Sequence, residues 1–425
     1  MKSILIAAGD AARFVALLLL LTPVAAAQFQ LITVDDNGPA DFATLQPAID
    51  AANPGDVVLV AAGTYDPAVV DGKGIAVVSK AGPMIIDLDG MVGVPIAKPI
   101  LCVRNVPAGQ ACLVAGFTVF NGATGPPADL LVEDCAGPVW LQNVFMDSYG
   151  AEALRARAVD SFVLVQCFAQ TNLFPPLADG TPVPGPGAVF EQGSAVWTHA
   201  FQASGSHGAL LPGGLPDLLA PPPGGPGLVI DDASLRAWDS NMQGGSGGAI
   251  SLSGCVTGAD GGAGISLVGA VNSVLLADTS PDGGSAGFFD SGCATAPCAG
   301  LPVEGAATGV STLADVSRSL AAPALAEVGE LVSLDLTGTT GEASLLFMAN
   351  SPAPGVQVGG VDLHLELTSL ILLAAVPMTD DCVSLKVIVP PLPAGVGAVA
   401  VPLQAVFLDG AGGRLASNPW AIVLH

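Results

Sequence analysis

Leu45, Ala48, Ile49 and Ala52 recur at helical spacing, and a continuous apolar run follows at 57–60. The first pattern gives one apolar face to a helix of about two turns, and the second marks a strand buried on both sides. Thr44 or Asp41 stands where a cap is wanted, and Pro47 falls in the first turn, where its missing N–H costs little. Asn53-Pro54-Gly55-Asp56 stops the helix and turns the chain. Short apolar strands are predicted at 31–34, 75–78, 84–86 and 100–103, with Gly or Pro between them.

A looser repeat follows. Phe117, Phe145, Phe168, Phe201 and Trp238 lie 28, 23, 33 and 37 residues apart, each followed within a few residues by a small or polar residue. Such periods signal one structural unit stacked on itself. The two longer intervals hold Pro/Gly-rich inserts, 174–187 and 211–227, which belong on loops at one edge and would raise a wall beside a groove. Thin rungs are predicted at 250–252, 265–268 and 274–276, and the irregular stretch 280–310 reads as the end of the solenoid and a linker. From residue 318 the texture changes to longer alternating strands at 331–336, 343–348, 361–367, 370–376, 383–389, 398–408 and 420–424. That series predicts a β-sandwich, either closing the open carboxy-terminal end of the solenoid or hanging from it.

The stretch DFATLQPAIDAANPGDVVLVAAGTY, 41–65, resembles the opening of right-handed β-helix proteins of the pectin lyase-like superfamily. The resemblance implies an all-β chain: a right-handed parallel β-helix over 28–300 with a short amino-terminal capping helix, a linker over 301–317, and a sandwich over 318–425. The catalytic signatures of that superfamily are not recognisable. Polygalacturonase-like members carry Asn-Thr-Asp, Asp-Asp, Gly-His-Gly and Arg-Ile-Lys in that order. Here Ser206-His207-Gly208 precedes Asp231-Asp232, and the first and last motifs are missing. Pectate lyase-like members set acidic Ca²⁺ ligands beside a basic residue. Acids such as Asp278, Asp282 and Asp290 abound, whereas the solenoid has only Lys73, Lys80, Lys98, Arg104, Arg155, Arg157 and Arg236. Gly63-Thr64-Tyr65 resembles the start of pectin methylesterases, without their later Asp, Gln and Arg motifs.

Residues 1–27 read as a secretory signal peptide, with Lys2, an apolar core at 14–21 and Ala25-Ala26-Ala27 before the cut. The expected product is secreted or cell-surface, monomeric and without a membrane span. Its loss removes Lys2, Arg13 and Asp10 and leaves 36 acidic against 10 basic residues, a formal charge of −26. So negative a surface excludes nucleic acid and anionic membranes as partners, and disfavours anionic polysaccharide unless a divalent cation bridges. Cys293 and Cys298 bracket Ala-Thr-Ala-Pro, a loop suited to a local disulfide, and Cys112, Cys135 and Cys167 are expected as small core residues stacked on one another. No Cys pair has zinc-site spacing with a nearby His, so no metal or cofactor is expected; Ca²⁺ would be compatible with the acids but has no specific motif.

Aligning the aromatic repeat stacks the positions two residues earlier: Asn143, Gln166, His199 and Arg236. With Trp197 and Trp238 beside it, this outward polar column is expected to bind glycan, and replacing His199 and Arg236 should then leave stability unchanged. Asp231, Asp232 and Arg236 are the candidate catalytic groups of the alternative reading, a divergent polysaccharide lyase or glycoside hydrolase. Asp35, Asp36, Asp87 and Asp89 read first as turn residues. The leading expectation is a non-catalytic secreted protein that binds polysaccharide or another cell-surface component; a third reading is a structural spacer.

Overall fold

The computed structural model describes residues 3–5, 29–79, 81–86, 99–121, 128–148, 152–172, 185–208, 210–211, 223–247, 249–252, 255–287, 297–305, 310–313, 318–358 and 361–425. The chain is a parallel β-helix followed by antiparallel sheets. Ten parallel strands, from Leu31–Val34 to Val310–Leu313, form one long sheet. Eight from Thr64–Tyr65 to Ser280–Asp282 form a second, and eight from Ala68–Asp71 to Val303–Gly305 a third. They are named here the docked, open and charged sheets, for what lies on their outer faces.

Each coil passes from docked to open to charged sheet. The first of these corners is a single left-handed residue on successive coils: Gly116, Asn143, Gln166, Ala200, Asp239 and Asp278, at φ between 45° and 82°. Gly, Asn and Asp tolerate that conformation best, which accounts for most of the column. Inside, apolar side chains stack coil on coil, as in Val77, Val114, Leu141 and Leu164.

The cap helix, Leu45–Ala51, buries Leu45, Ala48 and Ile49. Its expected cap is not made: Thr44 makes no capping hydrogen bond, and Asp41 accepts instead from the N–H and hydroxyl of Thr33, both at 2.8 Å. The helix acts through two other side chains. Gln46 accepts from Val69 N at 2.6 Å and donates to Val69 O at 3.1 Å, replacing the missing neighbour of the first charged-sheet strand. Lys73 Nζ donates to the carbonyls of Ile49 at 2.6 Å and Ala52 at 2.8 Å, at the negative end of the helix.

The solenoid runs further than its sequence pattern indicates. Ser280–Asp282, Val303–Gly305 and Val310–Leu313 each add a strand to one of the three sheets, so the stretch expected to be irregular continues the helix. Ala249–Leu252 joins none of these three sheets: it pairs in parallel with Leu210–Leu211 of the preceding coil and antiparallel with Cys255–Gly258.

The expected inserts fall at the open-to-charged corner and lie partly outside the described residues. The described end of the second insert packs with the Gly-rich segments that follow Trp238 as close extended ribs. Gly225 donates to Ser206 O at 2.9 Å, Gly245 to Gly225 O at 2.8 Å, Gly262 to Gly245 O at 2.8 Å, and Gly284 to Gly262 O at 2.7 Å. A Cβ on Gly245 would stand 1.8 Å from Ser206 O, and one on Gly262 2.0 Å from Gly225 O. Backbone cannot retreat as a side chain can, so these ribs require glycine.

The carboxy-terminal strands form two main antiparallel sheets, one built on Leu331–Thr337 and Cys382–Ile388, the other on Ala343–Met348, Ile371–Pro377, Val399–Leu408 and Trp420–Leu424. Ser3–Leu5, within the expected leader, pairs in parallel with Ser384, Leu385 and Lys386. This module neither closes the solenoid's end nor hangs from it: it lies along the outer face of the docked sheet. Leu113, Trp140, Val163 and Val165 share one hydrophobic cluster with Leu346, Leu403, Trp420 and Ile422. Gln142 fixes the contact, donating to Ala421 O at 3.1 Å and accepting from Ala421 N at 3.0 Å.

Candidate functional site

The predicted polar column does not exist as one column. Asn143 and Gln166 do stack, as left-handed corner residues, but the next positions there are Ala200 and Asp239. His199 pairs with Val165 and Trp238, and Arg236 with Trp197 and Leu275, all on the docked sheet. The alignment failed because Phe201 is not equivalent to Phe145 and Phe168. Gln202 pairs with Phe168, and Phe201, one residue earlier, points into the core. A slip of one residue reverses the face of every side chain in a strand.

Four of the six predicted ligand residues thus lie under the sandwich. Arg236 is ion-paired with Asp362 across the junction, and Trp197 meets His364 edge-on, their ring centroids 4.9 Å apart. Burial pushes both His199 and His364 down to about 4, so both are neutral at ordinary pH. With Trp238 these groups line a cleft of about 240 Å³ between the two modules.

The other two, Asn143 and Gln166, are exposed at the edge of the open sheet, whose outward residues on the middle coils range from half-buried Thr118 and Phe168 to exposed Phe145 and Gln202. Thr118, Phe145, Phe168, Gln202, Asn241 and Ser280 follow one another there on successive coils. The rings of Phe145 and Phe168 stack face to face, 5.0 Å between centroids and 1° from parallel. Phe145 is 38% exposed, whereas Val144 and Met146 beside it are buried. In the next outward column Asp147 accepts from Gln170 at 3.0 Å and from the Asn172 amide. Burial raises the Asp147 carboxyl against the pull of those two donors; burial and then the charge of Asp278 raise that of Asp239. A groove of about 410 Å³ continues the platform past Thr118, Asn143 and Phe145 toward Pro323 and Glu330.

This platform escaped the sequence reading because its aromatics served only as marks of the repeat and the binding column was placed two residues before them. The signal was present in Val144-Phe145-Met146 and Cys167-Phe168-Ala169: if the flanking apolar residues point inward, the phenylalanine between them points out.

The candidate catalytic groups are otherwise employed. Asp232 Oδ1 accepts from the amides of Ala270 and Val271, both at 2.9 Å, and Asp231 ends a charged-sheet strand beside Glu191. Among the described solenoid cations, Lys73 caps the helix and the arginines are in ion pairs: Arg104 with Asp71, Arg155 with Glu152 and Glu191, Arg157 with Glu133, and Arg236 with Asp362. Lys80, Lys98, Asp87, Asp89 and Asp290 lie outside the described residues. His207, within Ser206-His207-Gly208, accepts at Nδ1 from Ser246 N at 3.1 Å in the glycine ribs. Asp35 holds a turn, accepting from the amide of Asn37 at 3.0 Å, whereas Asp36 reaches 28 residues on to accept from the amide of Thr64 at 3.0 Å. Among the described residues no three His, Cys, Asp or Glu side chains converge on a cation site. Cys112, Cys135 and Cys167 are core residues but do not stack on one another, and burial pushes Cys112 and Cys167 up to about 12. Cys298 carries a free, exposed thiol, and Cys293 lies outside the described residues.

No family model and no curated protein matches the chain. Among solved structures it is similar to the full-length tailspike protein 2 (TSP2, ORF211) from Escherichia coli O157:H7 bacteriophage CAB120, at 9% identity and a TM-score of 0.27. The match covers 88% of this chain and 65% of that one, so the chain spans less than two thirds of the tailspike. A likeness that distant says nothing about ligand or reaction, and the fold rests on the strand ladders described above.

Proposed function

We propose that this is a secreted, non-catalytic, divergent pectin lyase-like β-helix that binds an extended, uncharged polysaccharide along the outer face of the open sheet. The observation that carries this reading is the coplanar Phe145–Phe168 stack, with Phe145 exposed and Phe168 half-buried, in line with the amides of Gln202 and Asn241. Aromatic faces take the apolar face of a pyranose, and side-chain amides donate to and accept from its hydroxyls. Parallel coils repeat at about 4.8 Å, close to the length of one pyranose unit, so neighbouring coils can read neighbouring sugars. Asp147, Asp239, Asp278 and Asp282 lie on or beside the same face, with no cation among its described residues. That charge favours a neutral chain over a polyanion.

A glycan array probed with the mature chain, with and without Ca²⁺, tests the reading against the double variant Phe145→Ala/Phe168→Ala. Each ring contributes about 0.5–1.5 kcal/mol, so the double variant should bind at least about fivefold more weakly. Undiminished binding by that variant would move the site elsewhere. Release of new reducing ends or unsaturated products from any bound glycan would replace the non-catalytic reading with an enzyme, and silence on all glycans would leave the spacer.

A further inference from the structure

We propose that the cleft between the solenoid and the sandwich is a second binding site, for a ring that carries an oxyanion, with Arg414 receiving the anion. The site is independent of the open-sheet platform and does not rest on it.

The cleft holds about 240 Å³, with Trp197 and Trp238 on the solenoid wall and His364 and Gln404 on the sandwich wall. Flat aromatic walls suit a ring-shaped ligand. Trp197 Nε1 and His364 Nδ1, on residues of the two walls, are buried and have no hydrogen-bond partner. A polar atom buried without a partner is unfavourable, so a ring that settles between these walls and reaches the two nitrogens would satisfy both. The wall is also built to close tolerance. A Cβ on Gly355 would come within 2.9 Å of both the Trp197 and the His364 rings, so glycine there lets the two stand as they do.

Charge selects the ligand. The chain as a whole carries −25, yet the charged groups lining the cleft are Arg236, Arg318, Arg414 and a single carboxylate, Asp362. Asp362 is taken by Arg236, and Arg318 by Glu342 just outside the cleft. Arg414 is exposed at the cleft and has no ion-pair partner among the described residues. Burial keeps both histidines of the cleft neutral, so neither competes for the anion. A guanidinium presents a planar fork that fits a carboxylate or sulfate with two parallel hydrogen bonds.

Glucuronic acid, glucose 6-sulfate and glucose are the probes, titrated into the mature chain while the indole N–H resonances are followed by NMR. The Trp197 signal is assigned with Trp197→Phe. At least one of the two anionic sugars should shift that signal at concentrations where glucose leaves it unmoved, and the tighter of the two names the anion's source. Arg414→Gln, exposed and so expected to keep the wild-type melting temperature, should weaken this binding at least tenfold. Phe145→Ala/Phe168→Ala should leave it intact, which separates this site from the platform. Equal binding of glucose, an undiminished response in Arg414→Gln, or no Trp197 shift with any probe would each overturn the proposal.

Discussion

The docked and open sheets are cut from the same coils, share one interior and differ in what lies outside. Trp140 and Phe145 make the contrast within a single coil: both are aromatic and both point away from the solenoid core. Trp140 is 2% exposed because the sandwich covers it, and Phe145 is 38% exposed with Phe168 stacked against it. The same contrast holds for polar residues. Gln142 spends its amide on Ala421 across the junction, while Gln202 is exposed on the open face. An outward position in a solenoid is thus only a candidate for binding; whether it becomes an interface or a ligand face depends on where the second module settles.

The largest expected difference is between those two aromatics. Trp140→Ala should destabilise the protein by about 3–5 kcal/mol, as for a large buried side chain, whereas Phe145→Ala should cost about 1 kcal/mol or less. Chemical denaturation of the two variants side by side checks this, and equal losses would mean that the sandwich does not dock as described.

Next comes the ion pair across the junction. Arg236→Ala strands Asp362 in the cleft and should cost about 2 kcal/mol, less than a fully buried pair because the arginine side chain keeps 35% of its surface exposed. This reverses the sequence expectation for an outward column, on which the variant would have been neutral. Arg236→Ala/Asp362→Ala should recover part of the loss, and a double-mutant cycle showing no coupling would remove the contact from the junction.

Acid should then distinguish the faces. His199 and His364 titrate near 4 in the folded chain instead of 6.5, so between those values the unfolded chain binds the more protons. The stability they confer is complete above about pH 6.5 and is lost as pH falls toward 4, at up to about 1.4 kcal/mol per pH unit for each histidine. Melting temperatures at pH 7, 6 and 5 should fall in that order, with a shallower fall in His199→Gln. An identical slope in that variant would show that other groups govern the acid response.

The smallest effect on stability is expected where the effect on binding is greatest. Phe145→Ala/Phe168→Ala should melt within a few degrees of the parent while losing polysaccharide affinity, a separation that no docked-sheet variant should reproduce.

Much of the fold was legible locally. Helical spacing at Leu45, Ala48 and Ile49 and the run Val57–Val60 marked the cap and an early strand, because burial of a continuous apolar face leaves a periodic record. The seven long strands after residue 318 were legible for the same reason. The coil register was not. A corner needs only one residue able to hold a left-handed backbone, and Gly116, Asn143, Gln166, Ala200 and Asp239 share no side-chain chemistry that would align them. The glycine ribs were not legible either, since a glycine packed against backbone has the same letter as one in a flexible turn.

The chain by itself determined that it would form a β-solenoid with an amino-terminal helix and an antiparallel carboxy-terminal module, because those follow from which residues must leave water. Tertiary structure alone decided which outward residues stay in water. Burial of the docked sheet depends on contacts between residues such as Gln142 and Ala421, 279 positions apart, and no local pattern encodes a surface that is covered only after both halves have folded.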